Sequence, residues 1–173
     1  MDETCSGKLE GYSDSDWATK HSTSGHVFLF GRAAIQWGSK KQGSVALSSC
    51  EAEIVAASEA AKEALYLQRF LVEMGLTEDG PASMSVDNSA ARDVAYNPEH
   101  HNRMKHVAHR HFFVRECVEN MQLVVPFVRT ADNLADFFTK PLCAKQFCAM
   151  RDVIMNASPE FGCHSRVGPA GGS

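Results

Sequence analysis

The spacing of apolar residues predicts a long amphipathic helix in the segment SSCEAEIVAASEAAKEALYLQRFLVEMG, residues 48–75. Steps of three and four residues from Ala57 reach apolar side chains as far as Met74, which is the pattern of one buried helix face. Ser48 supplies a capping hydroxyl at the start. One further step back along the same stripe reaches Glu53. A carboxylate on a buried face is unfavourable unless something compensates its charge, so Glu53 needs a specific explanation.

Short apolar runs bounded by turn residues predict five strands. Three precede the long helix, a fourth follows it, and a fifth comes after two further helices. A segment that contains Asp136 predicts another helix, which ends before Pro141. An antiparallel three-strand start followed by β-α units predicts an α/β fold with a five-stranded mixed sheet flanked by helices. The strand segments are KLEGYSDSDWA, TSGHVFLFG, AAIQWGSK, ASMSVD and QLVVPFVR.

The length of 173 residues and the 44% content of hydrophobic residues suit one domain with a full core. We expect a flexible leader at 1–8, the α/β domain at 9–142, a C-terminal helix at 143–155, and a disordered tail rich in Gly, Ser and Pro at 156–173. Apolar runs are too short to cross a bilayer, and the first residues lack the pattern of a signal peptide. We therefore expect a protein of the cytoplasm or nucleus, neither secreted nor membrane-bound.

The six cysteines are scattered and form no C-x-x-C pair, which favours reduced thiols over disulfides or a zinc site. The net charge of −4 argues against a uniformly basic coat for nucleic acid, although local basic patches stay possible. Trp17 and Trp37 are expected in the core, because tryptophan is highly buried on average.

Three other acids share the unusual placement of Glu53. Asp14 ends the first predicted strand, Asp87 ends the fourth, and Asp136 lies in the first turns of the helix after the fifth. Ligands of α/β sheets gather where strand ends meet helix starts. Carboxylates that converge there repel one another, and a divalent cation removes that cost. Oxygen ligands without His or Cys favour Mg²⁺ or Mn²⁺ over zinc. Taken singly, Asp87 could cap the next helix, Asp16 could be a turn acid, and Glu51 could interact with the helix dipole, but a cap or a solvated face does not explain Glu53.

Five motifs, in this order, resemble the ribonuclease H domain of copia-type LTR retrotransposon polyproteins over about residues 11–142. Nothing in the chain resembles the polymerase domain that normally precedes it, so the chain is interpreted as an excised piece or a stand-alone derivative. The motifs are GYSDSDWA, STSGHVFLFG, IQWGSKKQGSVALSSCEAE, VDNSAARDVAYNPEHHNRMKHVAHRHFFVRE and TADNLADFFTKPL.

This resemblance implies a catalytic and metal-binding quartet of Asp14, Glu53, Asp87 and Asp136. It selects Glu53 over Glu51, as the apolar stripe does independently. It implies two Mg²⁺ ions, with Mn²⁺ able to substitute; Asp14 bridges them, Glu53 and Asp87 hold one, and Asp136 holds the other. One ion activates water for in-line attack on a phosphodiester, and the other stabilises the leaving 3′ oxygen.

The implied activity is endonucleolytic cleavage of the RNA strand of RNA–DNA hybrids during reverse transcription. The implied partners are the hybrid itself and a reverse transcriptase domain of the parent polyprotein, in a virus-like particle of the cytoplasm or in the nucleus. One departure is that RTADNLA, before Asp136, lacks the loop histidine that cellular relatives often carry. The alternative function is a weakly active or inactive module that binds hybrid or duplex nucleic acid without cutting it.

Five of the eight histidines lie between positions 100 and 111, interleaved with basic residues. This pattern predicts a duplex-binding helix whose charges meet phosphates; the alternative is a solvated face with His111 packed inward. A zinc site is disfavoured, because His106, His109 and His111 cannot face one point on a regular helix. The predicted nucleic-acid contacts are Arg103, Lys105, His106 and Arg110, with Lys40 and Lys41 as weaker candidates.

Overall fold

The computed structural model describes residues 7–18, 20–96 and 108–157. The predicted order of strands and helices is present in these ranges, except for the helix predicted after the fifth strand. The predicted tail from residue 158 and most of the predicted leader lie outside them. The strands are β1 (Leu9–Asp16), β2 (Thr23–Phe30), β3 (Ala33–Lys41), β4 (Ala82–Val86) and β5 (Leu123–Val124). The α-helices are α1 (Ser49–Glu73), α2 (Ser89–Tyr96), α3 (Ala108–Glu119) and α4 (Ala144–Ile154).

The strands form one mixed sheet in the order β3-β2-β1-β4-β5. β2 runs antiparallel to both β1 and β3, whereas β1, β4 and β5 run parallel to one another. The fold class predicted from the sequence is therefore confirmed. β5 lies at the edge and is only two residues long. Pro126 lacks a backbone N–H and interrupts the ladder, which resumes as a single bridge between Val86 and Phe127.

α1 packs against one face of the sheet through small side chains. Ala60 and Ala64 are fully buried against Phe28 and Met84, because alanine lets the helix axis approach the strands closely. The predicted apolar stripe is buried from Ala57 to Leu71. Met74 departs from the prediction: it is the C-cap residue of α1 and is 57% exposed.

The opposite face of the sheet is covered by α4. Side chains alternate between the faces of a strand, so Val27 and Leu29 of β2 point away from α1. They pack with Leu134, Met150 and Ile154 in a second core cluster. The helix predicted for the C-terminal segment therefore closes one side of the sheet, while the domain boundaries drawn from the sequence stay a prediction.

The segment after β5 differs from the helix predicted for it. It forms two short 3-10 helices, Thr130–Asp132 and Leu134–Phe138, separated by Asn133 in an extended conformation. Asn133 is fully buried; its Oδ1 accepts a hydrogen bond from the Ala135 N–H at 3.2 Å, and its Nδ2 donates to the Ser13 carbonyl at 3.1 Å. The hydrogen bond of Asn133 to Ser13 ties this segment to β1, and the predicted continuous helix is therefore interrupted at Asn133.

The two tryptophans also differ from the prediction. Trp17 is 46% exposed and Trp37 is 58% exposed, so neither is a core residue. Trp37 lies on β3, which is an edge strand of the sheet that the described residues form. Among the described helices, none is long and apolar enough to span a bilayer.

Candidate active site

Three of the predicted acids meet where β1 and β4 end and α1 begins. Asp14 on β1 is 1% exposed, Glu53 in the first turns of α1 is 8% exposed, and Asp87 directly follows β4. β1 and β4 are parallel neighbours with Ser13 opposite Val86, so their carboxyl ends lie side by side. One carboxylate oxygen from each acid lies within 4.8 Å of the others. The tertiary fold therefore brings together acids that are 34 to 73 residues apart, from the differences 87 − 53 and 87 − 14.

The start of α1 explains why Glu53 and not Glu51 faces this cluster. The Ser48 hydroxyl accepts from the Glu51 N–H at 3.1 Å, and the Glu51 carboxylate accepts from the Leu47 N–H at 2.7 Å. Glu51 is thereby committed to capping the start of the helix, through its backbone N–H and its side chain. Gln42 fixes the next residues, since its buried amide donates to the Ala52 carbonyl at 2.9 Å. Glu53 then lies on the side of the helix that faces the sheet.

Asp136 reaches the site on residues 133–140, which we name the crossing segment. This segment passes over β1 and β2 at Gly25, the register partner of Asp14. A Cβ atom at Gly25 would lie 2.5 Å from Cγ2 of Thr139, so only glycine permits this approach. The Ser39 hydroxyl of β3 donates to the Phe138 carbonyl at 2.7 Å and holds the segment at its other end.

Lys140 joins Asp136 to the acids on the sheet. Its Nζ lies 2.8 Å from Oδ1 of Asp136 and 3.2 Å from Oδ1 of Asp14. The Thr139 hydroxyl donates to the second oxygen of Asp14. Sequence reasoning missed both residues. The available signal was the four-residue spacing of Asp136 and Lys140, which places the two side chains on one face of a helical turn.

Burial dominates the electrostatics of the cluster. Burial, followed by the charges of Asp14 and Asp87, raises the pKa of Glu53 to about 8. Burial also raises the pKa of Asp136 to about 6, although its hydrogen bond to Lys140 acts in the opposite direction. Burial lowers the pKa of Lys140, but its bonds to Asp136 and Asp14 outweigh that effect and hold the pKa above its ordinary value. The raised pKa values of Glu53 and Asp136 show that the negative charge of the site is poorly solvated.

The donor set fits a hard divalent cation. Three carboxylate oxygens at mutual distances of up to 4.8 Å can contact one ion, and neither His nor Cys belongs to this group. Oxygen-only ligands of this kind suit Mg²⁺, Ca²⁺ or Mn²⁺. A bound cation would also offset the repulsion by Asp14 and Asp87, which adds to burial in raising the pKa of Glu53.

The predicted nucleic-acid contacts are placed only in part. Lys40 and Lys41 are exposed at the end of β3 and pair with Ser24 and Thr23 of β2, which in turn pair with the last residues of β1. They thus lie at the same end of the sheet as Asp14. Arg110 on α3 is partly exposed, with Nη1 3.5 Å from the Ser44 hydroxyl. Arg103, Lys105 and His106 lie outside the described residues, as does the side chain of His111.

The chain is similar to known proteins of two kinds: polyproteins with a related sequence, and solved structures with the same fold. No family model matches the chain. The chain is 37% identical over 150 residues to the retrovirus-related Pol polyprotein from transposon TNT 1-94 of Nicotiana tabacum, a match that covers 84% of this chain and 11% of that protein. It is 38% identical over 143 residues to the corresponding polyprotein from transposon RE1 of Arabidopsis thaliana, covering 80% of this chain and 10% of that protein. The chain thus spans about a tenth of the length of these curated relatives.

Solved structures agree on the fold. Ribonuclease H1 from the archaeon Halobacterium salinarum superposes with a TM-score of 0.58 at 16% identity, covering 77% of this chain and 95% of that one. LC11-RNase H1, solved in complex with an RNA/DNA hybrid, superposes with a TM-score of 0.59 at 14% identity, covering 76% and 94%. The fold is therefore that of the ribonucleases H. The chain is homologous to one segment of the retrovirus-related Pol polyproteins of plant transposons, and the resemblance drawn from the sequence motifs is confirmed.

Proposed function

We propose that this chain is a ribonuclease H that hydrolyses the RNA strand of RNA–DNA hybrids and depends on a divalent metal. The observation that carries the proposal is the convergence of Asp14 and Glu53, both buried, with the half-buried Asp87, where the parallel strands β1 and β4 end and α1 begins. Burying two acids beside a third is costly, and a domain that only bound nucleic acid would gain nothing from it. Two facts add support: the similar Pol polyproteins, and a neighbour of the same fold that holds an RNA/DNA hybrid.

The acids divide between two ion positions in this proposal. Glu53 and Asp87 would hold one Mg²⁺, Asp136 would hold the other, and Asp14 would bridge both. When bound, the pair of ions would supply an activated water for in-line attack on a phosphodiester and would stabilise the departing 3′ oxygen. The four side chains serve as ligands and orient the reacting phosphate; none of them is the nucleophile. Mn²⁺, which takes the same oxygen ligands, should substitute for Mg²⁺.

The substrate duplex would lie across the end of the sheet that carries the acids. Lys40 and Lys41 would contact its phosphates from β3, and Arg110 would do so from α3. Arg103, Lys105 and His106 are proposed to extend this contact. Duplex shape and the 2′-hydroxyls would distinguish the RNA strand from DNA. The proposed setting is reverse transcription by a parent polyprotein that also carries a reverse transcriptase domain, in a cytoplasmic particle or the nucleus.

A cleavage assay tests the proposal. A hybrid labelled on its RNA strand is incubated with the chain in Mg²⁺ or in EDTA, beside variants Asp14→Asn and Asp79→Asn. Asp79 is an exposed loop residue, so its variant serves as the matched control. We expect cleavage only in Mg²⁺ and unchanged activity for Asp79→Asn. Asp14→Asn should lose activity by roughly 100-fold or more, because removing a residue that merely supports a metal ligand already costs about 10- to 100-fold. Tight hybrid binding without metal-dependent cleavage would instead identify a binding module.

A further inference from the structure

The ammonium group of Lys140 lies between the carboxylates of Asp14, on β1, and Asp136, on the crossing segment. It contacts Asp136 at 2.8 Å and Asp14 at 3.2 Å. The side chains of these acids are only 4% and 1% exposed, whereas that of Lys140 is 31% exposed. Two carboxylates this deeply buried need a nearby positive charge, and Lys140 provides it from within the chain.

The crossing segment fixes Lys140 in this place. The backbone N–H of Lys140 donates to the Asp136 carbonyl at 3.1 Å, and Pro141 follows directly. The neighbouring Thr139 donates its hydroxyl to the same Asp14 carboxylate. Both oxygens of Asp14 are therefore engaged by consecutive residues, one by Lys140 and the other by Thr139. Lys140 is built into the site and does not reach it from a distant surface.

The four acids are consequently not equivalent. The Asp14, Glu53 and Asp87 group offers three oxygens to one cation. Among the ion pairs of the described residues, Lys140 contacts Asp14 and Asp136 but neither Glu53 nor Asp87. Glu53 and Asp87 thus lie outside the ammonium contact, whereas the position between Asp14 and Asp136 already holds a monovalent cation.

We propose that Lys140 is a tethered cation that holds Asp14 and Asp136 together and competes with a divalent ion for the position between them. This inference rests on the proposed metal-dependent function. Since an ammonium and a divalent ion repel each other, an ion can bind between these two acids only when Lys140 moves away. Lys140 is therefore a positioning residue that makes the affinity of the second ion weaker than that of the first.

Calorimetric titration with Mn²⁺ tests the competition, using the full chain without nucleic acid. The variants are Lys140→Gln, which keeps hydrogen-bonding capacity without charge, Lys140→Arg, which keeps the charge, and Lys145→Gln, an exposed lysine on α4 as the control. We expect the second ion to bind about 10-fold more tightly to Lys140→Gln, which equals about 1.4 kcal/mol. Lys140→Arg and Lys145→Gln should keep the weak second site.

Thermal melting supplies the second readout. Without metal, Lys140→Gln should melt below the unsubstituted chain, because two buried acids lose their counter-charge, and saturating Mg²⁺ should close the difference. A lower melting temperature with unchanged second-ion affinity would show a merely structural role and overturn the proposal. If Lys140→Gln unfolds in the absence of metal, recovery of the unsubstituted melting temperature in Mg²⁺ supports competition, and failure to recover overturns it.

These outcomes separate this inference from the proposed nuclease function. A chain that shows the expected affinities but does not cut hybrids contradicts the nuclease function and leaves the role of Lys140 standing. A chain that cuts hybrids, but whose Lys140→Gln variant binds the second ion no more tightly, overturns the role of Lys140 alone.

Discussion

At the scale of single residues, the environment of Glu53 sets its chemistry. Burial beside Asp14 and Asp87 raises its pKa to about 8, whereas Glu51, two positions earlier, is a capping residue at the helix start. The same side chain therefore has a structural role at one position and lies in the acid cluster at the other. What differs is which side of α1 faces the sheet.

The raised pKa of Glu53 predicts a pH-dependent stability. The folded chain binds this proton more tightly than the unfolded chain, whose Glu titrates near 4.5. Stability without metal should therefore fall as pH rises from about 4.5 to about 8. Glu53→Gln removes this loss and should be roughly 2–4 kcal/mol more stable than the unsubstituted chain at pH 8, with a smaller difference at pH 5.

Urea unfolding in EDTA at the two pH values measures the difference between the two chains. Asp136 titrates in both of them, so its contribution cancels. Glu78→Gln, at an exposed loop position, is the control and should follow the unsubstituted chain. Parallel pH dependence of Glu53→Gln and the unsubstituted chain would contradict the prediction.

At the scale of elements, the crossing segment decides how the fourth acid reaches the others. Its contacts come from three strands: Asn133 bonds to Ser13 of β1, Gly25 of β2 lies beneath Thr139, and Ser39 of β3 bonds to Phe138. A regular α-helix would have a different path, because 3-10 turns are tighter. The placement of Asp136 therefore depends on the fit between this segment and the sheet.

Gly25→Ala should disturb that fit. The added Cβ would lie 2.5 Å from Cγ2 of Thr139 and 3.2 Å from the Ala135 carbonyl oxygen, so the crossing segment must move away from β2. We expect a loss of about 1–3 kcal/mol in the free energy of unfolding, together with reduced cleavage in Mg²⁺. Gly43→Ala has no atom within 4 Å of its new Cβ and is the control. Equal stability of the two variants would refute the close approach.

The packing of α4 is testable in the same way. Ile154 is 6% exposed in the second core cluster, whereas the adjacent Val153 is 51% exposed. Ile154→Ala should destabilise the chain by about 2–4 kcal/mol, as expected for truncating a buried aliphatic side chain, and Val153→Ala should have little effect. Denaturant unfolding compares the two. Similar small losses would mean that α4 does not cover the sheet in solution.

At the scale of the whole molecule, the local charge near the acids differs in sign from the net charge. The net charge is −4, yet Lys40 and Lys41 lie exposed at the end of the sheet that carries the acids. The proposed polyanionic substrate would therefore be attracted by local charge and not by the overall field.

Replacing Lys40 and Lys41 together by alanine should weaken hybrid binding and flatten its dependence on salt, because fewer counterions are released. Binding is measured in EDTA over a series of salt concentrations, and the slope should fall by about one for each lost phosphate contact. Arg69→Ala is the control, since Arg69 lies 16 residues beyond Glu53 on α1 (69 − 53), or about 24 Å along the helix axis. An unchanged slope for the lysine variant would exclude this contact.

The sequence by itself determined the succession of the five strands along the chain, the buried face of α1 and the place of Glu53 on that face, because hydrophobic periodicity is a local signal. It also contained the five motifs from which we expected relatives among retrotransposon polyproteins. It did not determine the exposed positions of Trp17 and Trp37, since residue type alone does not show that Trp17 follows the end of β1 or that Trp37 lies on an edge strand.

Only the tertiary structure decided the conformation of residues 130–138 and the contact of Lys140 with two acids. The local pattern around Asp136 suits a helix, but the buried bonds of Asn133 to β1 outweigh it. The Lys140 contact joins positions 126 residues apart (140 − 14), so no local pattern contains it. Interactions between remote segments form only when the whole sheet is assembled, and for that physical reason they lie beyond what periodicity can predict.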